Sequence, residues 1–135
     1  MIINSTTVAI IADDLTGAND TALQFHLKGA NTQILLSEDI DPVNAKNTQT
    51  WALSTESRNI EPHEEAQRAA QFFVEKINPD YFYKKIDSTI RGNIAVEVLA
   101  ILDTLEWDAS IIIPAFPAES RVTVGGYRLL KGVPI

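Results

Sequence analysis

The sequence predicts an α/β fold of three layers, a mostly parallel sheet with helices on both faces. Two observations carry that expectation. Short apolar runs at 7–12, 32–36, 49–53, 81–86 and 110–113 alternate with longer amphipathic stretches, the pattern of repeated strand-helix units. Several of the runs, such as TVAIIA and SIII, are apolar throughout rather than alternating, as strands covered on both faces are.

Each element has its own local reason. The first run, 7–12, ends at Asp13 and Asp14, and a helix is expected over 16–28 with Gly29 as its C-cap. Residues 32–36 form a second short strand, followed by an acidic loop through Asp39, Asp41 and Pro42. A third strand, 49–53, runs out into Ser54, Thr55, Glu56, Ser57 and Arg58. Pro62 suits a first helical turn, and Ala66, Ala69, Ala70, Phe73 and Ile77 recur at the spacing of one helix face. Asn78, Pro79 and Asp80 break that helix, and 81–86 returns as a strand.

Ile94, Val98, Ile101, Leu102 and Leu105 then mark another amphipathic helix, and 110–113 is expected as the final parallel strand. The last segment, VGGYRLLKGVPI, reads as a hairpin turning at Lys131 and Gly132. Because the chain halts at Ile135 inside an apolar strand signal, the domain is expected to be truncated at its C-terminus. Its open sheet edge would then be covered by further sequence or by another copy, which leaves room for a homo-oligomer.

Composition narrows the function. A chain of 135 residues, 45% of them hydrophobic, is enough for one compact core. The absence of cysteine excludes disulfides and thiolate metal sites. With no signal segment and no apolar run long enough for a membrane span, a cytoplasmic protein without membrane partners is expected. A net charge of −7 argues against nucleic acid as a partner. Yet Lys84, Lys85 and Arg91 crowd one motif and Arg121, Arg128 and Lys131 another, so local positive potential for a small anion survives on an acidic body.

Two strand exits carry the chemistry. At the first, one of Asp13 and Asp14 suffices to cap the following helix. The other is left to accept hydroxyl protons, act as a general base or anchor magnesium. Gly17 permits close approach to a ligand at the helix N-terminus. The adjacent pair lacks the Asp-x-Asp spacing of haloacid dehalogenase phosphatases. Receiver domains need further signature residues where this chain has LSTESR and IIIPAF.

At the second exit, KKIDSTIRGN, strand alternation places Lys85 and Asp87 on one side and Lys84 and Ile86 on the other. Arg91 can converge with Lys85 and Asp87 on an acid, or pair with Asp87 as a structural ion pair. Ser88 or Thr89 would cap the next helix. His26 and His63 stand alone, without metal-ligand spacing, and the chain has neither a P-loop nor a GxGxxG.

The blocks ADDLTGAND, STESR, KKIDSTIRGN and PAFPAESRVTVGGYRLLKGVPI, in that order, resemble the four-carbon acid sugar kinase family over essentially the whole chain. The resemblance implies that 1–135 form an N-terminal sugar-acid-binding domain, with a separate C-terminal domain for ATP and magnesium. It further implies that Asp13 and Asp14 contact or deprotonate acceptor hydroxyls, while Arg58, Lys85, Asp87, Ser88 and Arg91 hold the acid. Arg121 joins them, although the family's usual Gly-Arg-Thr is here Ser120, Arg121, Val122 and Thr123. The implied substrate is a threonate, an erythronate or an oxo-tetronate, and the segment alone is expected to be inactive toward ATP. A non-catalytic sugar-acid-binding or regulatory module is the alternative.

Overall fold

A computed structural model describes residues 6–38, 47–57 and 62–135. Four parallel strands form the main sheet: β1 (Val8–Ala12), β2 (Thr32–Leu35), β3 (Thr50–Ser54) and β4 (Tyr81–Lys85), in the order β2-β3-β1-β4. Helices α1 (Leu15–Leu27), α2 (Pro62–Lys76) and α3 (Ile94–Leu105) complete the α/β layers.

Alternation along the strands sorts the apolar side chains into two cores. Ile10, Ala12 and Ala52 pack against Ala18 and Ala22 of α1 on one face. On the other, Ala9, Ile11, Trp51 and Leu53 meet Ala66, Ala69, Ala70 and Phe73 of α2 and Ala100 and Ile101 of α3. Phe73 is fully buried, which places the predicted α2 stripe against the sheet. Small alanines on both helix faces let the backbones approach closely, and Phe73 fills the space between them.

In register, Ala12 stands beside Ser54 on one side and Lys85 on the other, so three strands end level. The loops leaving β1 and β4 lead to helices on opposite faces, α1 and α3. Adjacent parallel strands whose connections diverge in this way open a crevice at their carboxyl ends.

Two expectations are corrected. The run 110–113 is not a strand among the described residues: Ile111, Ile112 and Ile113 are 91%, 56% and 76% exposed and have no ladder partner. An apolar run pairs only where a neighbouring strand offers its edge, and in this structure β4 remains at the border of the sheet. The C-terminal hairpin has one more turn than expected. After a 3₁₀ turn (Pro117–Glu119), β5 (Arg121–Val124), β6 (Tyr127–Leu130) and β7 (Val133–Pro134) form a separate antiparallel sheet, turning at Gly125-Gly126 as well as at Lys131-Gly132. No helix among the described residues is long and apolar enough to cross a membrane. The acidic loop through Asp39, Asp41 and Pro42 lies outside the described residues.

Candidate functional site

The crevice is built from the first turn of α1 upward. Asp14 is the N-cap of that helix, and its Oδ1 accepts from the backbone N–H of Gly17 at 2.7 Å. Asp13, one residue nearer the strand, is buried. Gly17 has no side chain for a spatial reason. A β-carbon there would lie 2.7 Å from Asp14 Oδ1, 3.2 Å from Lys85 Cγ and 3.6 Å from Lys85 Nζ. Lys85 therefore crosses from β4 over the first turn of α1, and its ammonium donates to the Ile86 carbonyl at 2.7 Å. A cation, a capping carboxylate and the positive end of a helix meet at one point.

The turn after β4 is organised around Asp87. Its carboxylate accepts from Thr89 N at 3.0 Å, from the Thr89 hydroxyl, and from Arg91 Nε and NH2 at 3.0 and 2.9 Å. The Arg91 guanidinium, chiefly, holds the Asp87 carboxyl well below the usual carboxylate range, with Thr89 assisting and burial opposing. The fork of Arg91 is thus turned to Asp87 within the protein. Ile90 of the same turn adopts φ +62°.

Lys84 points the other way, as alternation requires. It lies against Glu97 of α3 on the opposite face, 2.8 Å from Oε2. Glu97 also accepts from Ser57, whose Oγ is 2.6 Å from Thr55 Oγ1, and Thr55 reaches Ala12 O at 3.0 Å. A buried polar chain therefore ties α3 and β4 to the exits of β3 and β1.

Ser88 is held by the distant hairpin. Arg121 NH1 donates to its hydroxyl, and Arg128 donates to its carbonyl through Nε, at 2.6 Å, and through NH2. Of the residues expected at the site, Asp13, Asp14, Lys85, Asp87, Ser88, Arg91 and Arg121 all lie on the two strand exits or on the hairpin that grips one of them. Arg58 lies outside the described residues. Glu97 was not expected there, and Arg128 was expected only as part of the basic cluster of the C-terminal segment. Glu97 sits on an apolar helix with no sequence signal of its burial. Arg128 could have been found by reading Gly125-Gly126 as a hairpin turn, which sets it opposite Thr123.

Comparison with known families matches residues 8–135 to the sugar-binding N-terminal domain family. The chain belongs to this family. Among curated proteins, this sugar-binding domain is 40% identical over 132 residues to a D-erythronate kinase of Heliobacterium modesticaldum, covering 95% of the chain and 30% of the relative. It is 38% identical to a D-threonate kinase of Salmonella typhimurium, covering 93% of the chain and 30% of that protein. Identity to a 3-oxo-tetronate kinase of Haemophilus influenzae is 32%, over 93% of the chain and 32% of that protein. The domain thus spans about a third of the length of the curated relatives it matches.

A solved domain of unknown function from Bordetella bronchiseptica, a domain-swapped dimer with bound citrate, superposes on this domain with a TM-score of 0.86 at 28% identity. The alignment covers 97% of this chain and 35% of that one.

Proposed function

We propose that this domain positions a four-carbon sugar acid, of the threonate, erythronate or oxo-tetronate type, for phosphorylation by ATP held in the remainder of a kinase. The observation that carries the reading is that Lys85 of β4 and the Asp14 carboxylate of α1 both close on Gly17, which brings the two strand exits to one place. The names of the relatives support the substrate class, and the citrate of the Bordetella neighbour supports a small hydroxy acid.

In this reading Asp14, with Asp13 beside it, accepts the proton of the acceptor hydroxyl as its oxygen attacks the γ-phosphorus of ATP and ADP departs. Lys85, the Asp87–Ser88 turn and Arg121 hold the acid, and Arg91 shapes that turn through Asp87. Magnesium belongs in this reading with the ATP phosphates in the remainder of the kinase. The setting is cytoplasmic, and a homo-oligomer accords with the domain-swapped neighbour.

Asp14→Asn in the full-length enzyme tests the reading. Asparagine caps a helix as well as aspartate does, so the fold is kept and only the charge is lost. The expected fall in kcat toward D-erythronate or D-threonate is roughly 10²- to 10⁴-fold. A full-length wild-type protein that phosphorylates none of D-erythronate, D-threonate and 3-oxo-tetronate would sink the reading.

A further inference from the structure

Arg128 is only 6% exposed, yet no carboxylate among the described residues neutralises it. It donates instead to neutral acceptors: Nε and NH2 to the Ser88 carbonyl, and NH1 to Thr123 Oγ1 at 3.4 Å. Arg121 is in the same position. Its NH1 donates to the Ser88 hydroxyl, while its buried Nε has no acceptor. Neither arginine takes part in an ion pair among the described residues.

The hairpin explains how they meet. Thr123 and Arg128 are cross-strand partners in β5 and β6, and Arg121, two residues from Thr123, shares their face. That face lies on the turn after β4. Two guanidiniums gripping one residue repel each other, and a buried charge without a counter-charge is costly. The arrangement is relieved by an anion, and planar guanidinium forks match a carboxylate.

We propose that Arg121 and Arg128, spaced by Ser88, form the carboxylate-binding position of the sugar acid, which rests on reading this domain as a sugar-acid site. Arg91 is less suited to that task because the Asp87 carboxylate already matches its charge, whereas the partners of Arg121 and Arg128 are neutral. With the acid end on the hairpin, the hydroxyl-bearing end is left for Asp13 and Asp14 at the neighbouring strand exit. Arg128 is thereby a specificity residue, selecting a four-carbon acid over the corresponding polyol.

The test is calorimetric titration of the full-length protein with D-erythronate, D-threonate, the uncharged tetritol erythritol, citrate and inorganic phosphate. In Arg128→Met, affinity for the tetronate should fall roughly 10- to 100-fold while the weak affinity for erythritol stays constant. Arg128→Lys should recover part of the loss. Arg121→Gln should move in the same direction, and it alone decides the matter if Arg128→Met does not fold by circular dichroism.

Acid and tetritol weakening together would assign the arginines to holding the Ser88 turn and would overturn the proposal. So would unchanged tetronate affinity in both variants, or a loss confined to phosphate. A wild type that binds citrate but neither tetronate, with Arg128→Met abolishing citrate binding, would uphold the carboxylate position while refuting the four-carbon substrate.

Discussion

Lys84 Nζ lies 2.8 Å from Glu97 Oε2 on the α2–α3 face of the sheet, with the two side chains 10% and 1% exposed. The contact is close but poorly aligned for a hydrogen bond, and Lys84 Nζ has no hydrogen-bond acceptor among the described residues. The pair is therefore held mainly by charge, and removing one partner strands the other in a low-dielectric site. Glu97→Gln should destabilise the fold by about 3 to 5 kcal/mol in urea unfolding. The double variant Lys84→Met with Glu97→Leu should be more stable than Glu97→Gln, because neither charge is then buried. Additive losses would show that the two residues are not coupled.

Asp87 predicts a pH dependence. Its folded pKa is depressed, chiefly by Arg91, so its stabilisation is present above the unfolded value, near 3.8, and is lost as pH falls from there through the folded value. Arg91 is 68% exposed, and solvent screening limits the contribution to about 1 kcal/mol. Below about pH 4, wild-type stability should therefore drop more steeply than that of Asp87→Asn, whereas from pH 5 to 8 the gap between them should be constant. Parallel curves across the whole range would refute the assignment.

The elements with strong periodicity were legible in the sequence. Helix α2 was fixed by Ala66, Ala69, Ala70 and Phe73, all of which are buried, and the level ends of β1 and β4 follow from two apolar runs that each stop at charges. What was not legible depends on partners distant in sequence. The run 110–113 has strand composition, but pairing is a property of the neighbour as much as of the run, and none is supplied among the described residues. The Lys84–Glu97 pair likewise joins a strand to a helix face whose orientation only packing decides. The pairing of Arg91 with Asp87 was one of two readings open from the motif, and the local geometry of the turn selects it.

Ile90 offers a test of stored strain. A β-branched residue at φ +62° is rare, and the left-handed conformation costs roughly 1–2 kcal/mol for a residue with a β-carbon. The turn bonds around Asp87 hold it there, including Ile90 N to Asp87 O at 2.9 Å. Glycine relieves that cost but loosens the unfolded chain by about 0.4–1 kcal/mol. Ile90→Gly should accordingly be neutral or stabilising by up to about 1 kcal/mol, and should weaken acid binding because the turn is less preorganised. Destabilisation beyond about 1 kcal/mol, measured by urea unfolding, would mean the side chain contributes packing that outweighs its backbone strain.

Gly17 separates function from stability most sharply. An alanine β-carbon would press on Asp14 Oδ1 at 2.7 Å and on Lys85 Cγ at 3.2 Å, and neither atom belongs to the backbone. Both side chains can yield by rotation. Disturbing the cap costs about 1 kcal/mol, while alanine in place of glycine returns up to about 1 kcal/mol of helix propensity, so Gly17→Ala should unfold within about 1 kcal/mol of wild type. Activity has no such compensation. Asp14 and Lys85 are displaced together from the point where the two strand exits meet, and a misplacement near 1 Å can cost about 10²-fold in rate. On the proposed function, steady-state kinetics of the full-length protein with D-erythronate or D-threonate should show kcat/KM reduced by that order with the unfolding midpoint little changed. Undiminished kcat/KM in Gly17→Ala would show that the acceptor is not held at the first turn of α1.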